Sequence, residues 1–156
     1  MNQRVFLAAP FKQLLNQNNR VNTETTQSLQ QVMQVLEDKG MFVDNAHKRE
    51  NWGLEMMTPT QCTDADFNSI KNCDVLMAFP GSPASPGTHI EIGWASAFHK
   101  KIILLLKNDV DYAYLIRGLG VIGDVEYIYY ENMNSCLSQI SNVIDNYLQH
   151  NKVLSK

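Results

Sequence analysis

The sequence predicts a doubly wound α/β domain on a five-stranded parallel sheet, with helices on both faces. Five short apolar runs alternate with helical patterns along the chain. One of them, Lys101–Lys107, has an unbroken aliphatic centre, Ile102–Leu106, as expected of a strand covered on both faces. A length of 156 residues suits one domain. The order βαβαβαβαβ favours a flavodoxin-like strand order 2-1-3-4-5, which puts ligands at the carboxyl ends of the strands near the β1/β3 switch point.

Arg4–Ala9 is the first strand, and the polar, Asn-rich stretch Pro10–Asn22 reads as a loop. Thr23–Lys39 carries Leu29, Val32, Met33 and Leu36 at helical spacing, with Gly40 as its stop. Met41–Ala46 is the second strand and His47–Met57 a polar loop after it. Thr63-Asp64-Ala65-Asp66 reads as an N-cap with an acidic first turn, opening a helix to about Asn72. Asp74–Phe79 is the third strand and His89–His99 the next helix. Lys101–Lys107, a short helix at Tyr112–Leu119, strand Val125–Tyr130 and an amphipathic helix at Asn134–Leu148 complete the pattern. Residues 1–150 are expected to form a single domain and 151–156 a flexible tail.

The bulk properties exclude several classes. Net charge is -3 without a basic tract, so no nucleic-acid partner is expected. A membrane span needs about 20 apolar residues, far more than the longest aliphatic run, and no segment resembles a signal peptide. Cys62, Cys73 and Cys136 are odd in number and lack CxxC spacing, which predicts reduced thiols and a cytoplasmic location. His89-Ile90-Glu91 matches the HxE of zinc deaminases, but the downstream P-C-x-x-C is missing. The histidines and cysteines form no metal constellation, and no metal or other cofactor is expected.

The richest stretch is Phe79–Trp94, where a strand, a loop of small residues with three prolines, and a helix meet. Ser85, Gly87 and Thr88 offer hydroxyls and close backbone approach at a helix N-terminus, a combination suited to phosphate. Glu91 is expected in the first turn, where the helix dipole favours its ionised form. That makes it a candidate nucleophile, or simply a complement to the dipole. Asp74 opens the third strand and is either a turn residue or a second site carboxylate. His47-Lys48-Arg49-Glu50 follows the second strand at the ligand edge. It is either a solvated charge run or a site loop in which Lys48 or Arg49 pairs with a phosphate. Trp52 offers a face for a base, or a core contact.

Taken together, Val5–Phe11, Asn45–Gly53, Cys73-Asp74-Val75 and Ser85–Ser96 resemble the nucleoside 2-deoxyribosyltransferase superfamily. Within it the chain is most similar to the nucleotide N-glycosidases that hydrolyse CMP or 5-hydroxymethyl-CMP in the mildiomycin and blasticidin S pathways. The resemblance runs from about Val5 to Leu119. It implies that Glu91 attacks C1′ of the sugar to form a covalent glycosyl ester that water then cleaves. It also implies that Asp74 is the second catalytic acid. Retaining glycoside hydrolysis uses such carboxyl pairs ~5 Å apart.

The deoxyribosyltransferases carry an aspartate six positions before the nucleophile, where this chain has Ser85. A carboxylate there repels a 5′-phosphate and a hydroxyl donates to it, so the exchange points to a monophosphate substrate. The resemblance further implies that Phe11 stacks on the base. Lys12 stands where the hydroxymethyl-CMP enzyme has an arginine, keeping the charge without the planar fork. It also implies a homodimer or larger homo-oligomer with shared sites, to which Tyr112 or Tyr114 contributes from the neighbouring subunit.

The expected function is hydrolysis of a pyrimidine nucleoside 5′-monophosphate to free base and ribose 5-phosphate. A deoxyribosyltransferase and a non-catalytic nucleotide sensor are the alternatives.

Overall fold

Strands β1 (Arg4–Ala8), β2 (Phe42–Asp44), β3 (Val75–Ala78), β4 (Lys101–Lys107) and β5 (Val125–Tyr130) form one parallel sheet. Their order is β2-β1-β3-β4-β5, as the sequence predicts. The computed structural model describes residues 2–10 and 23–154. Among the described residues, six α-helices connect and flank the strands: α1 (Thr23–Asp38), α2 (Ala46–Arg49), α3 (Pro59–Asn72), α4 (Pro86–Ala97), α5 (Tyr114–Gly118) and α6 (Met133–Leu154). No described helix is long and apolar enough to cross a membrane.

The period-2 alternation of the strands sorts their side chains into two cores. Val5, Leu7, Met77, Ile103 and Leu105 pack with Leu29, Val32 and Leu36 of α1 and Ile140 and Ile144 of α6. The intervening residues Phe6, Leu76, Ile102, Leu104 and Leu106 pack with Ile70 of α3, Ile92 and Ala95 of α4 and Ile116 of α5. Each fully buried aliphatic side chain contributes about 1.5–3 kcal/mol. Covering both faces of β4 explains its continuous apolar sequence.

Several boundaries differ from the sequence reading, each for a local reason. Helix α3 begins at Pro59, not after Thr63, because Thr58 caps it. Thr58 Oγ1 accepts the Gln61 N–H at 3.3 Å and Gln61 Oε1 accepts the Thr58 N–H at 3.0 Å, a reciprocal capping box with Pro59 at the first helical position. Helix α4 likewise starts at Pro86 with Ser85 as its N-cap, which moves Glu91 from the first turn into the second. The expected loop after β2 contains helix α2 and a 3-10 turn at Asn51–Gly53. Helix α6 runs on to Leu154, so residues 151–154, expected in a flexible tail, are helical.

Candidate active site

A cavity of about 460 Å³ opens at the carboxyl ends of β1, β2 and β3, beside the switch point between β1 and β3. Ser85, Gly87, Thr88 and Glu91 of the α4 segment form one wall, and Cys62 and Asp66 of α3 face them. Met56, Met57 and Glu50 contribute from the segment between α2 and α3.

The α4 end of the cavity is built around its cap. Ser85 Oγ accepts the Thr88 N–H at 3.4 Å and the Thr88 hydroxyl at 3.1 Å, and both residues are buried. With both contacts accepted by its oxygen, the Ser85 hydroxyl hydrogen is left to point elsewhere. Pro86 has no N–H, and a helix offers no internal partner to its first N–H groups, so the Gly87 N–H is a spare donor. The helix N-terminus adds a partial positive charge. Ahead of it the chain turns at Gly81, whose φ of 85° suits glycine. A Cβ there would lie 2.8 Å from Pro10 Cγ, so this turn packs directly on the end of β1.

Glu91 meets a second carboxyl. Its side chain hydrogen-bonds to Asp66, which requires one of the two to carry a proton. Burial and the neighbouring Asp66 charge push the Glu91 pKa well above the usual carboxylate range. Burial also raises Asp66, against the opposing pull of Arg49. The expected ionising effect of the helix dipole is therefore overturned: Glu91 lies a turn too deep in α4, and desolvation dominates.

Asp66 is held from behind. Arg49 Nη1 lies 2.7 Å from Asp66 Oδ1, and Arg49 Nη2 lies 2.8 Å from Asp44 Oδ1 at the end of β2. Arg49, proposed from sequence as a phosphate partner, is instead committed to these two carboxylates. Lys48 points away to Glu37 at 3.5 Å. The position of α2 is fixed by Asn45, whose Nδ2 donates to Leu7 O at 2.8 Å while its Oδ1 accepts the Lys48 N–H at 3.0 Å. His47 is buried, and its Nε2–H donates to Pro10 O at 3.1 Å. Burial lowers its pKa to about 4, so the ring is neutral near pH 7. Glu50 is buried at the cavity wall, where its Oε1 accepts the Met57 N–H at 2.7 Å.

Other expected site residues lie elsewhere. Asp74 sits at the opposite, amino edge of the sheet, where its Oδ2 accepts the Arg4 N–H at 2.7 Å. Strand β3 separates it from the α4 loop, so the structure does not bring it to Glu91. Trp52 packs against the α1/α6 core with a φ of 55° and does not line the Glu91 cavity. The Tyr112 hydroxyl accepts the Lys107 N–H at 2.9 Å and its ring packs on its own core, whereas Tyr114 is 82% exposed. Phe11 and Lys12 lie outside the described residues.

Asp66 is the site residue that the sequence reading missed. Its signal was present: Asp66 is four residues before Ile70 on the buried face of α3, and a carboxylate on an apolar helix stripe is the informative exception.

A family model described as nucleoside 2-deoxyribosyltransferase matches residues 5–145. Among solved structures, the chain is 41% identical to the Clostridium botulinum CMP N-glycosidase BcmB, over 88% of this chain and 98% of that one, with a TM-score of 0.68. It is 40% identical to BlsM, known from a solution structure, over 90% of this chain and 88% of that one, with a TM-score of 0.77. A 2-deoxyribosyltransferase from Bacillus psychrosaccharolyticus, 22% identical over 86% of this chain and 90% of that one, shares the fold at a TM-score of 0.59. A search of curated proteins returned no match. The family match spans most of the sequence and both ends of the cavity, and the chain belongs to the nucleoside 2-deoxyribosyltransferase family.

Proposed function

We propose that this protein hydrolyses the N-glycosidic bond of a pyrimidine nucleoside 5′-monophosphate, with CMP or 5-hydroxymethyl-CMP as substrate. The observation that carries this reading is the pairing, in one cavity, of a neutral helix cap at Ser85 with a carboxyl pair at Glu91 and Asp66. In this reading the Ser85 hydroxyl, the Gly87 N–H and the Thr88 segment receive the 5′-phosphate at the α4 N-terminus. The sugar then spans the distance to Glu91, and the base lies against Met56, Met57 and Cys62. The likeness to a protein described as a CMP N-glycosidase supports the same substrate class.

The chemistry follows from two carboxyls holding one proton. As substrate binds, that proton resides on Asp66, leaving Glu91 ionised. Glu91 attacks C1′, the C1′–N bond breaks, its electron pair goes to the base, and the base takes the proton from Asp66. A glycosyl ester on Glu91 remains. Asp66, now a carboxylate, takes a proton from water as the water oxygen bonds C1′, and the C1′–O bond to Glu91 breaks. Ribose 5-phosphate leaves, and the pair has its proton back. Each acid–base contribution of this kind is typically ~10²–10⁴-fold in rate.

A shared site in a homodimer also belongs to this reading. Tyr114 and Leu115 on α5 are 82% and 85% exposed, and Ile90 is exposed on α4 one residue from Glu91, apolar side chains that a second copy would cover. Light scattering coupled to size exclusion tests this directly, and a monomer at working concentration would remove that part of the reading.

Incubating the protein with CMP, 5-hydroxymethyl-CMP, dCMP and cytidine, followed by product separation, tests the substrate class. Release of base from a monophosphate and not from cytidine is expected. Turnover of cytidine alone would refute the phosphate argument. Base exchange outrunning hydrolysis in a mixture of deoxycytidine and adenine would favour a transferase instead.

A further inference from the structure

We propose that Arg49 is the positioning residue of this site: gripping Asp66 with one guanidinium nitrogen and Asp44 with the other, it fixes Asp66 against Glu91 and decides which carboxyl carries their shared proton. As a statement about catalysis this rests on the hydrolase reading; as a statement about the carboxyl pair it rests on the Asp44–Arg49–Asp66 bridge and the buried contact of Asp66 with Glu91.

The geometry is specific. Arg49 bridges Asp44 at the end of β2 and Asp66 on α3 at 2.8 and 2.7 Å, so one planar group ties the sheet edge to the helix that carries the acid. All three side chains are largely shielded from solvent, with 24%, 24% and 12% exposure for Arg49, Asp44 and Asp66. A planar fork reaches two carboxylates in fixed directions, which a single ammonium cannot do. Asp44 is the counter-anchor: without a second partner, the guanidinium could rotate about Asp66.

The electrostatic consequence has a definite sign. Arg49 favours ionised Asp66 through both hydrogen bond and charge, and it favours ionised Glu91 through charge alone. Because Arg49 touches Asp66 directly at 2.7 Å and reaches Glu91 only at longer range, its pull favours the carboxylate on Asp66 and the resting proton on Glu91. The other groups bearing on the pair are Asp44 on β2, which opposes Arg49 at Asp66, and Glu50 and Cys62 in the cavity wall. His47 on α2 is neutral. Arg49 is the cation that the structure sets against the pair among the described residues. A resting Glu91 that is protonated is a masked nucleophile. Moving the proton to Asp66 when substrate arrives unmasks Glu91 and arms the acid in one transfer.

The test compares wild type, Arg49→Lys and Arg49→Gln by two measurements. The first is a pH titration of the Glu91 and Asp66 carboxyl carbons by ¹³C NMR, assigned with Glu91→Gln and Asp66→Asn. It needs no substrate. Removal of Arg49 should raise the lower of the two apparent values by about one pH unit or more, with Lys in between. The second is the pH profile of kcat/KM on whichever monophosphate the wild type turns over. Its acid limb should move up by the same amount, and kcat should fall ~10–100-fold in Arg49→Gln with KM changed far less. Should Arg49→Gln fail to fold in a thermal melt, Arg49→Lys carries the comparison. Folded variants whose carboxyl titrations match wild type would overturn the proposal. A wild type that titrates as described yet hydrolyses nothing would overturn the hydrolase reading and leave the role of Arg49 in the carboxyl pair standing.

Discussion

Asp66 on α3 and Glu91 on α4 hydrogen-bond to each other inside the site cavity, two carboxyls with one proton between them. Two hydrogen-bonded carboxyls in a buried site cannot both ionise cheaply, and a pair of this kind is able to hold an acid and a base at the same pH.

The pair leaves a mark on stability. Glu91 is raised above its ordinary value of 4.5, so the folded state holds a proton that the unfolded chain has released, and stability falls as pH rises above 4.5. His47, lowered from 6.5 to about 4, acts oppositely: the unfolded chain takes up the proton first, and stability falls as pH drops below 6.5. The two slopes oppose each other below pH 6.5, and above it the carboxyl pair acts without His47. Chemical denaturation from pH 6.5 to 8.5 should show declining stability, by at most about 1.4 kcal/mol per pH unit for one proton. Glu91→Gln should flatten that decline.

Ser85→Asp separates capping from phosphate recognition. Aspartate is as good an N-cap as serine, so the melting temperature should change little. A carboxylate facing the 5′-phosphate should lower kcat/KM for the monophosphate by ~10–100-fold and spare cytidine. Parallel kinetics on CMP and cytidine check this, and equal losses on both would remove Ser85 from the phosphate site.

Asp66→Asn and Asp74→Asn give opposite outcomes if the geometry assigns the second acid correctly. Asp66→Asn should cut kcat by ~10²-fold or more. Asp74→Asn alters a hydrogen bond to Arg4 at the far edge of the sheet and should keep kcat within about twofold, with a stability change of about 1 kcal/mol or less. A large kcat loss in Asp74→Asn would reinstate it.

Gly81→Ala tests the turn that seats the α4 loop. The added methyl meets Pro10 Cγ at 2.8 Å at a backbone φ of 85°, so a loss of at least ~1 kcal/mol is expected by urea titration. Pro10 O also holds His47, so the disturbance should reach α2.

The sheet order was legible because each strand advertises its burial: β4 is aliphatic throughout, and β1 and β3 are short apolar runs that end at polar, Pro-containing loops. The placing of Ser85 and Glu91 in one cavity followed from the same rule, since both follow β3 at its carboxyl end. Asp66 was hidden by the start of α3. Taking Thr63 as the cap puts Asp66 in an exposed acidic first turn, whereas the Thr58–Gln61 capping box puts it on the buried stripe. Arg49 was ambiguous because its partners, Asp44 and Asp66, are five and seventeen residues away, and nothing local says whether a cation meets a ligand or its own chain. Asp74 was misplaced by resemblance: it opens β3, and a parallel strand has its first residue at the edge away from the site.

The central claim is that Glu91 bonds covalently to the sugar. Rapid acid quench of a turning-over monophosphate reaction, followed by intact mass analysis and peptide mapping, tests it most directly. Asp66→Asn, in which both formation and breakdown of the ester are slowed, is quenched over longer times as a second sample. The expected result is a protein heavier by one ribose 5-phosphate less water, with the adduct on the peptide containing Glu91 and absent in Glu91→Gln. An adduct on another residue, or none at any quench time while base is released, would contradict it.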